Sequence, residues 1–183
     1  IIRDGLERMY GDNPEDVCYY ITAYNEPMVQ PAEPANVDLE GIRRGIHLVS
    51  EGSFEGVGPD ARRAQLLASG VGLPWAMEAQ ELLKNDFGVV ADVWSVTSWT
   101  ELRRDGLECD EQRFLHPELP TRKPFVTQRL EGRPGPFVAV SDFMRQVQDQ
   151  IREWVPGDFV SLGADGFGFS DTRGAARRVL HID

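Results

Sequence analysis

Cysteine and histidine are scarce in this sequence, and long apolar runs are missing from it. Its 183 residues include two cysteines and three histidines. Cys18 and Cys109 fall in different predicted elements, with no CxxC motif or Cys/His cluster nearby, which argues against a disulfide and against a zinc site. No run of about 18 apolar residues and no signal-peptide pattern occurs, so we expect a cytoplasmic protein without a membrane partner.

Positive charge is also in short supply. Lys and Arg number 19 against 30 Asp and Glu, which gives a formal net charge of −11. A surface of this sign repels phosphate backbones and anionic lipid headgroups. The composition therefore argues against nucleic acids and anionic membranes as partners.

No catalytic signature stands out: there is no pair of carboxylates, no metal cluster and no Ser/His/Asp order. His116, which precedes Pro117 in a predicted loop, is a candidate proton-transfer group. A hydrogen-bonded histidine that fixes a turn or an interface is the favoured alternative. His47 lies among apolar residues and is interpreted as structural, and His181 is too near the end of the sequence to assign.

What the sequence does contain is a central βαβ unit. Residues 64–69 form a predicted buried strand, Gly70-Val71-Gly72 a tight turn, Leu73–Phe87 a helix that ends at Gly88, and Val89–Val96 a second strand. Strands joined through a helix are expected to be parallel. One helical face is apolar and should pack on the sheet: Ala76, Ala79, Leu83 and Phe87.

Upstream of this unit, the run Val17–Thr22 has no polar alternation and predicts a strand covered on both faces. Three prolines in Asn25–Pro34 favour an extended connector. Asp38 is predicted to cap a short helix that ends near Gly45. The glycine-rich segment Ser50–Pro59 is interpreted as a hairpin tip.

Downstream, strands and helices continue to alternate. Capping residues predict a helix beginning in Thr97–Thr100, and buried strands are predicted at Phe137–Ser141 and Phe159–Gly163. This order predicts an α/β fold with a mainly parallel sheet flanked by helices.

Two further helix starts follow from capping residues. Asp142 should cap the helix between the last two strands, and Ser170 or Asp171 should cap a final helix. The first of these helices should bury one face, made of Phe143, Val147, Ile151 and Trp154.

Gly70-Val71-Gly72 lies where a dinucleotide-binding turn would lie, at the N-terminus of a helix. Trp75 occupies the position of the third glycine, where a bulky ring would disturb close packing of helix on strand. An ordinary tight turn is therefore favoured over nucleotide binding.

The segment Asp165–Asp171 follows a strand and precedes a helix, where ligands often approach an α/β sheet. It lacks the oxygen ligands of a calcium loop and the Lys-Ser/Thr of a phosphate loop. Its Phe167 and Phe169, set between glycines, would suit a partner's pocket. A structural or interface turn is favoured over a catalytic one.

Several strings of residues, taken in order, match one family. They are Ile2–Gly11, Tyr19–Thr22 with Asn25-Glu26, Gly41–Ile46, Ser95–Leu102 with Arg104–Gly106, Leu115–Pro117, and Leu162-Gly163 with Asp165–Gly168. In these strings the chain resembles the homodimeric, bacterial-type first component of pyruvate dehydrogenase, over essentially its whole length.

The resemblance implies a parent enzyme that uses thiamine diphosphate and magnesium to decarboxylate pyruvate and transfers the acetyl group to the lipoyl arm of a dihydrolipoamide acetyltransferase. It implies that residues 1–24 end the pyrimidine-binding domain, that 25–37 form a linker, and that 38–183 form a three-layer transketolase-like C-terminal domain, cut short at its end. The cofactor-binding motifs of the first two domains are absent, so no cofactor ligand is expected on this chain. We expect an inactive fragment that supports assembly of the homodimer.

Aromatic residues at strand ends complete the candidate sites. Trp94, Trp99 and Phe167 are predicted to lie near a subunit or domain interface, because interfaces favour rigid aromatic anchors. Two alternatives to an assembly domain stay open at this point. One is a free-standing interaction module that uses the turn from Gly166 to Phe169, and the other is a dinucleotide-binding domain that uses Gly70 and Gly72.

Overall fold

The fold is organised around one five-stranded sheet. A computed structural model describes residues 1–24, 27, 29, 36–168 and 170–181. The strands lie in the order β1-β3-β2-β4-β5, with β1 antiparallel to β3 and every other pair parallel. The strands are β1 (Ile46–Ser50), β2 (Arg62–Ala68), β3 (Val89–Val96), β4 (Phe137–Val140) and β5 (Phe159–Leu162). The predicted α/β fold with a mainly parallel sheet is confirmed.

Helices cover the sheet on both faces. The helices of the chain are α1 (Ile2–Tyr10), α2 (Leu39–Arg44), α3 (Gly72–Phe87), α4 (Trp99–Leu115), α5 (Phe125–Leu130), α6 (Arg145–Asp149) and α7 (Arg173–Leu180), with a 3-10 turn at Arg152–Trp154. The caps predicted at Asp38, Gly88 and the start of α4 are confirmed. Asp38 accepts a hydrogen bond from the Gly41 amide, Ser98 accepts one from the Glu101 amide, and Gly88 is left-handed with φ 62°.

The central βαβ unit fixes two packing layers, because neighbouring side chains of a strand point to opposite faces. On one face Leu66 and Val93 pack under α3, against Ala76, Ala79 and Leu83. On the other face lies the larger cluster under α4 and α5, which holds Leu67, Trp94, Trp99, Leu102, Phe125, Val126, Leu130, Phe137, Ile151 and Trp154 among others. The result is a three-layer domain with the sheet in the middle.

A buried carboxylate lies on the larger face. Asp92 on β3 is 0% exposed and accepts hydrogen bonds from Arg63 at 2.8 and 3.0 Å, from Gln65 Nε2 at 3.1 Å and from the Gly52 amide at 2.9 Å. Arg133 lies 3.5 Å from the same carboxylate. Because buried charges are costly unless they are paired and hydrogen-bonded, this cluster pins the segments that meet there.

Several local predictions are wrong. Val17–Thr22 is not a covered strand: neither edge of the described sheet pairs with it, and Tyr20 is 91% exposed. Its Tyr19 instead packs on Gly5 of α1 and donates a hydrogen bond to Asp4 at 2.8 Å. An apolar run becomes a buried strand only where neighbouring strands and a second layer enclose it.

Ser50–Pro59 is not a hairpin tip either. Strand β3 lies between β1 and β2, so this segment crosses one strand position instead of joining two neighbours. The Gly52 amide is held by Asp92 on that intervening strand. Phe87, placed by its spacing on the buried face of α3, is 65% exposed because it is the last helical residue before the chain turns at Gly88.

Two helix caps are also corrected. Asp142 does not cap a helix: α6 begins after Met144 without a side-chain cap, and the Asp142 carboxylate accepts a hydrogen bond from Tyr24. The last helix is capped by Thr172, which accepts from the Ala175 amide, and not by Ser170 or Asp171.

The face predicted for the helix after Asp142 is only partly buried. Ile151 and Trp154 are in the core, while Phe143 lies ahead of the helix and is partly exposed. The regular helix ends at Asp149, so the spacing of these residues is not that of one continuous helix. The short helix α5 was not predicted, because its six residues are too few to show a period.

The buried carboxylate generates a first prediction. Asp92→Ala leaves the largely buried Arg63 guanidinium without its carboxylate partner, which should cost about 3–5 kcal/mol of unfolding free energy. Urea unfolding followed by circular dichroism measures the loss. Asp60→Ala, at an exposed loop position, is the matched control and should stay within about 0.5 kcal/mol of the unsubstituted chain. A loss below about 1 kcal/mol for Asp92→Ala would show that the cluster is not structural.

Two helical glycines give a second, paired prediction. A Cβ at Gly106 of α4 would come within 2.5–2.6 Å of the Trp154 ring, whereas a Cβ at Gly174 of α7 would meet only an Arg178 nitrogen at 3.8 Å. Gly106→Ala should therefore destabilise the chain by about 1–3 kcal/mol through overpacking. Gly174→Ala should stabilise α7 by up to about 1 kcal/mol through helix propensity. Equal effects in thermal unfolding would contradict the tight contact between α4 and Trp154.

Candidate functional site

The topology of the sheet marks one place for a ligand. From β2 the chain passes through α3 to β3 on one side, and later returns to β4 on the other side of β2. Ligands of open α/β sheets bind at the carboxyl ends of the strands where the order reverses in this way. Here that place is bounded by Gly70, Val71, Gly72, Ser141 and Asp142, and we call it the switch-point crevice.

The glycines of this crevice serve close packing between α3 and β4. The Ser69 amide donates to the Val140 carbonyl at 3.2 Å, and a Cβ at Gly72 would lie 3.1 Å from that same carbonyl oxygen. Gly70 has φ 55°, in the left-handed region that favours glycine. The turn therefore has the shape of a phosphate-binding turn for reasons that need no phosphate.

A side chain from the same chain occupies the crevice. The Tyr24 hydroxyl donates a hydrogen bond to Asp142 Oδ1 at 2.9 Å. A Cβ at Gly70 would overlap that hydroxyl. Burial, followed by the hydrogen bond to Asp142, raises the pKa of Tyr24, while the backbone of Val71 lowers it. The phenol is thus held in its neutral, hydrogen-donating form.

This arrangement weakens the case for dinucleotide binding. The Asp142 carboxylate lies within one hydrogen bond of the position that a phosphate would take, and two negative groups there would repel each other. Trp75 is half-buried, and its ring lies 5.3 Å from the Arg177 guanidinium of α7. The Trp75 ring thus faces the last helix.

The pairing of Tyr24 with Asp142 was not predicted. The two residues lie 118 positions apart, and no local pattern links them. Asp142 carried the signal of a helix cap, and Tyr24 fell in the predicted end of a neighbouring domain. Only the fold brings them together.

The three histidines form no catalytic group. His116 is an exposed residue at the end of α4, and its Nδ1 lies 3.3 Å from Glu118 Oε1. His47 on β1 is half-buried, and burial lowers its pKa, opposed by Asp38 and reinforced by Arg129. His181 ends α7 with φ 53°. Among the described residues, the hydrogen-bond partner of the His116 ring is Glu118, and its proposed proton transfer stays an untested prediction.

The turn after β5 borders a polar groove of about 560 Å³ lined by Met144, Arg145, Asp149, Arg152 and Ser161 among others. Asp165 accepts hydrogen bonds from the amide and the guanidinium of Arg145, and these bonds lower the pKa of its carboxyl. Arg152 pairs with Asp149 at 2.7 Å. Both arginines are thus matched by carboxylates of the same chain, which leaves no net charge to select an ion.

The aromatic interface candidates occupy different environments. Trp94 and Trp99 are buried in the larger core cluster, where their indole nitrogens donate to Gln65 at 2.9 Å and to Ser69 at 3.0 Å. Their side chains therefore act inside the domain and offer a partner no surface. Phe167 is 97% exposed, while Phe169 lies outside the described residues. A position near an interface stays a prediction for all three candidates.

Thiamine diphosphate and magnesium, which the resemblance implies for the parent enzyme, do not fit the residues present. Magnesium bound with a diphosphate needs converging oxygen ligands. Within the described ranges, no group of three or more His, Cys, Asp or Glu is arranged to hold a metal ion. The glycine turn before α3 is filled by Tyr24. We therefore assign no step of cofactor chemistry to this chain.

Membrane insertion and cysteine chemistry complete the survey of the described residues. None of their helices combines the length and apolarity needed to cross a bilayer. Cys18 is exposed and Cys109 is buried, and both are free. Burial raises the pKa of the Cys109 thiol, which keeps it protonated and unreactive.

Comparison with known proteins identifies relatives along the whole chain. The pyruvate dehydrogenase E1 component of Mycolicibacterium smegmatis is 52% identical over 183 residues, which cover 100% of this chain and 19% of that protein. The E1 components of Mycobacterium tuberculosis and Escherichia coli K12 are 51% and 44% identical, again over all of this chain and over 19% and 20% of the relatives. The chain thus spans about a fifth of the length of these relatives.

The family comparison agrees with the fold. A transketolase from Leishmania mexicana superposes with a TM-score of 0.47 at 19% identity, over 81% of this chain and 17% of that one, a likeness too distant to decide anything. The model of the transketolase-like TK C-terminal domain matches residues 45–183, which include all five strands of the sheet. On this match, the chain belongs to the transketolase-like C-terminal domain family.

Proposed function

We propose that this chain is the C-terminal assembly domain of a pyruvate dehydrogenase E1 component. The parent enzyme would use thiamine diphosphate and magnesium, bound by its other domains, to decarboxylate pyruvate and acetylate a lipoyl carrier. Its partners would be a second copy of itself and the dihydrolipoamide acetyltransferase component, in the cytoplasm. The observation that carries this proposal is the 52% identity to an E1 component over every residue of the chain.

The geometry of the domain favours an assembly role without cofactor binding. In sheets of this kind a ligand would enter the switch-point crevice, and here the chain fills that place with Tyr24. The cofactor of such enzymes supplies the electron sink for the decarboxylation, and the protein must grip and orient it. The described residues do not supply that grip, so catalysis would depend on other domains.

A second candidate function rests on Phe167. This residue is almost fully exposed next to Gly166 and Gly168, a setting that suits a partner's pocket. An interaction module and an assembly domain predict the same lack of catalysis. They differ in whether Phe167 is needed for a partner protein to bind.

Ligand-induced stabilisation tests the absence of a cofactor site. A ligand held at 100 times its dissociation constant stabilises the folded state by about 2.7 kcal/mol. We expect the 183-residue chain to show no shift in its thermal midpoint with thiamine diphosphate and magnesium, or with NAD. The complete E1 component of M. smegmatis, which should shift with thiamine diphosphate, is the positive control. A shift of the isolated chain with thiamine diphosphate would contradict the proposal, and a shift with NAD would favour the dinucleotide-binding alternative.

A chimera tests membership in the enzyme. Replacing the matching region of the M. smegmatis E1 component with this chain should give a dimer that decarboxylates pyruvate at a rate within about tenfold of the parent, because the catalytic groups lie outside the exchanged part. Asp92→Ala in the chimera should lower both dimer yield and activity. A folded, dimeric chimera without activity would refute an exclusively supporting role.

Phe167→Ala tests the second candidate, because loss of acetyltransferase binding with unchanged pyruvate decarboxylation would support an interaction surface.

A further inference from the structure

Residues 1–24 are held on the domain through few described contacts. The segment has internal order: Tyr19 packs on Gly5, and Arg8 pairs with Glu15 at 2.6 Å. Among the described residues, two side-chain polar contacts join it to the domain. One is the pair of Arg43 with Asp4 at 3.5 Å, and the other is the bond from Tyr24 to Asp142.

The two contacts differ in strength and in direction. Arg43 is half exposed, and an ion pair between exposed side chains contributes little and fixes little geometry. Tyr24 is itself 39% exposed, but its hydroxyl donates to a carboxylate at 2.9 Å and lies against Gly70, where a Cβ would overlap it. Directional bonds to a charged acceptor are the stronger kind.

We propose that Tyr24 is a positioning residue that takes the place of a ligand in the switch-point crevice and so fixes residues 1–24 against the domain. The inference is independent of the reaction that the parent enzyme performs. It concerns the position of residues 1–24 relative to the domain that follows them. The same contact would exist whether the domain supports an enzyme or binds a partner protein.

Three features of the crevice are accounted for together by this role. Gly70 must be glycine because a Cβ would overlap the phenolic oxygen. Asp142 lies two residues before Met144, the capping position of α6, and its carboxylate binds Tyr24 instead. The backbone of Val71, at the N-terminal end of α3, interacts with the phenol and lowers its pKa. Each group faces the crevice, where a bound ligand would otherwise supply the partner.

The two cysteines offer a direct readout of the position of this segment. Cys18 is exposed and Cys109 is buried, so a nitroxide attached under native conditions marks Cys18. A second label at Glu78→Cys, on the exposed side of α3, gives a distance between the segment and the domain by pulsed electron spin resonance. In the chain with Tyr24 intact we expect one narrow distance distribution.

Three variants should broaden that distribution. Tyr24→Phe removes one hydrogen bond to a carboxylate, which should raise the ratio of detached to docked segment about tenfold. Tyr24→Ala and Gly70→Ala remove the occupant or its space, and less than half of the molecules should remain docked. Tyr20→Phe, at a solvent-exposed tyrosine, is the control and should leave the distance unchanged.

Gly70→Ala would introduce both backbone strain and a clash with Tyr24, and a substitution at Gly88 measures the strain alone. Gly88 has φ 62°, close to the 55° of Gly70, but a Cβ there would have nothing within 4 Å. Gly88→Ala should therefore lower the thermal midpoint through strain alone, with the distance distribution unchanged. In a Tyr24→Ala background, Gly70→Ala should lose its extra cost and match Gly88→Ala. A single narrow distance in both Tyr24→Ala and Gly70→Ala would overturn the proposal.

Discussion

The buried Asp92 carboxylate is the constraint on which the rest of this domain depends. It lies on the larger face of the sheet and binds groups from three separate segments: the connection after β1, strand β2, and the loop before β4. Gln65, directly opposite Asp92 in the parallel pair of β2 and β3, bonds both to it and to Trp94. A shift of one residue in this pairing would point the carboxylate into the alanine-rich face under α3, without partners. A buried ion pair adds little stability over an apolar core, but it makes every other register costly.

The two ends of the sheet are closed by side chains of the chain itself. At the amino ends, Arg63, Arg133 and Asp92 form the ion cluster. At the carboxyl ends, Tyr24 fills the position where sheets of this topology receive ligands. Both groups of side chains thus join segments of this chain that lie far apart in its sequence.

Local patterns in the sequence were reliable where the residues that determine an element lie within that element. The period of α3, the two buried strands on either side of it, the helix end at Gly88 and the caps at Asp38 and Ser98 all formed as predicted. The short helix α5 was missed because six residues give no period. Phe87 has the spacing of the buried face, yet it is exposed at the end of its helix.

What the sequence determined by itself was the alternation of strands and helices, the parallel βαβ unit and the family to which the chain is similar, because these depend on near neighbours and on long strings of residues. The strand neighbours and the long-range hydrogen-bond partners became known only from the tertiary structure. The sheet order turned an expected hairpin into a crossing connection, and an apolar run without neighbouring strands stayed outside the sheet. Asp142 binds Tyr24 instead of a helix end because the fold places that hydroxyl, 118 residues away, within 2.9 Å of it. A carboxylate accepts whichever donor the packing brings to it, and spacing along the chain does not say which donor that will be.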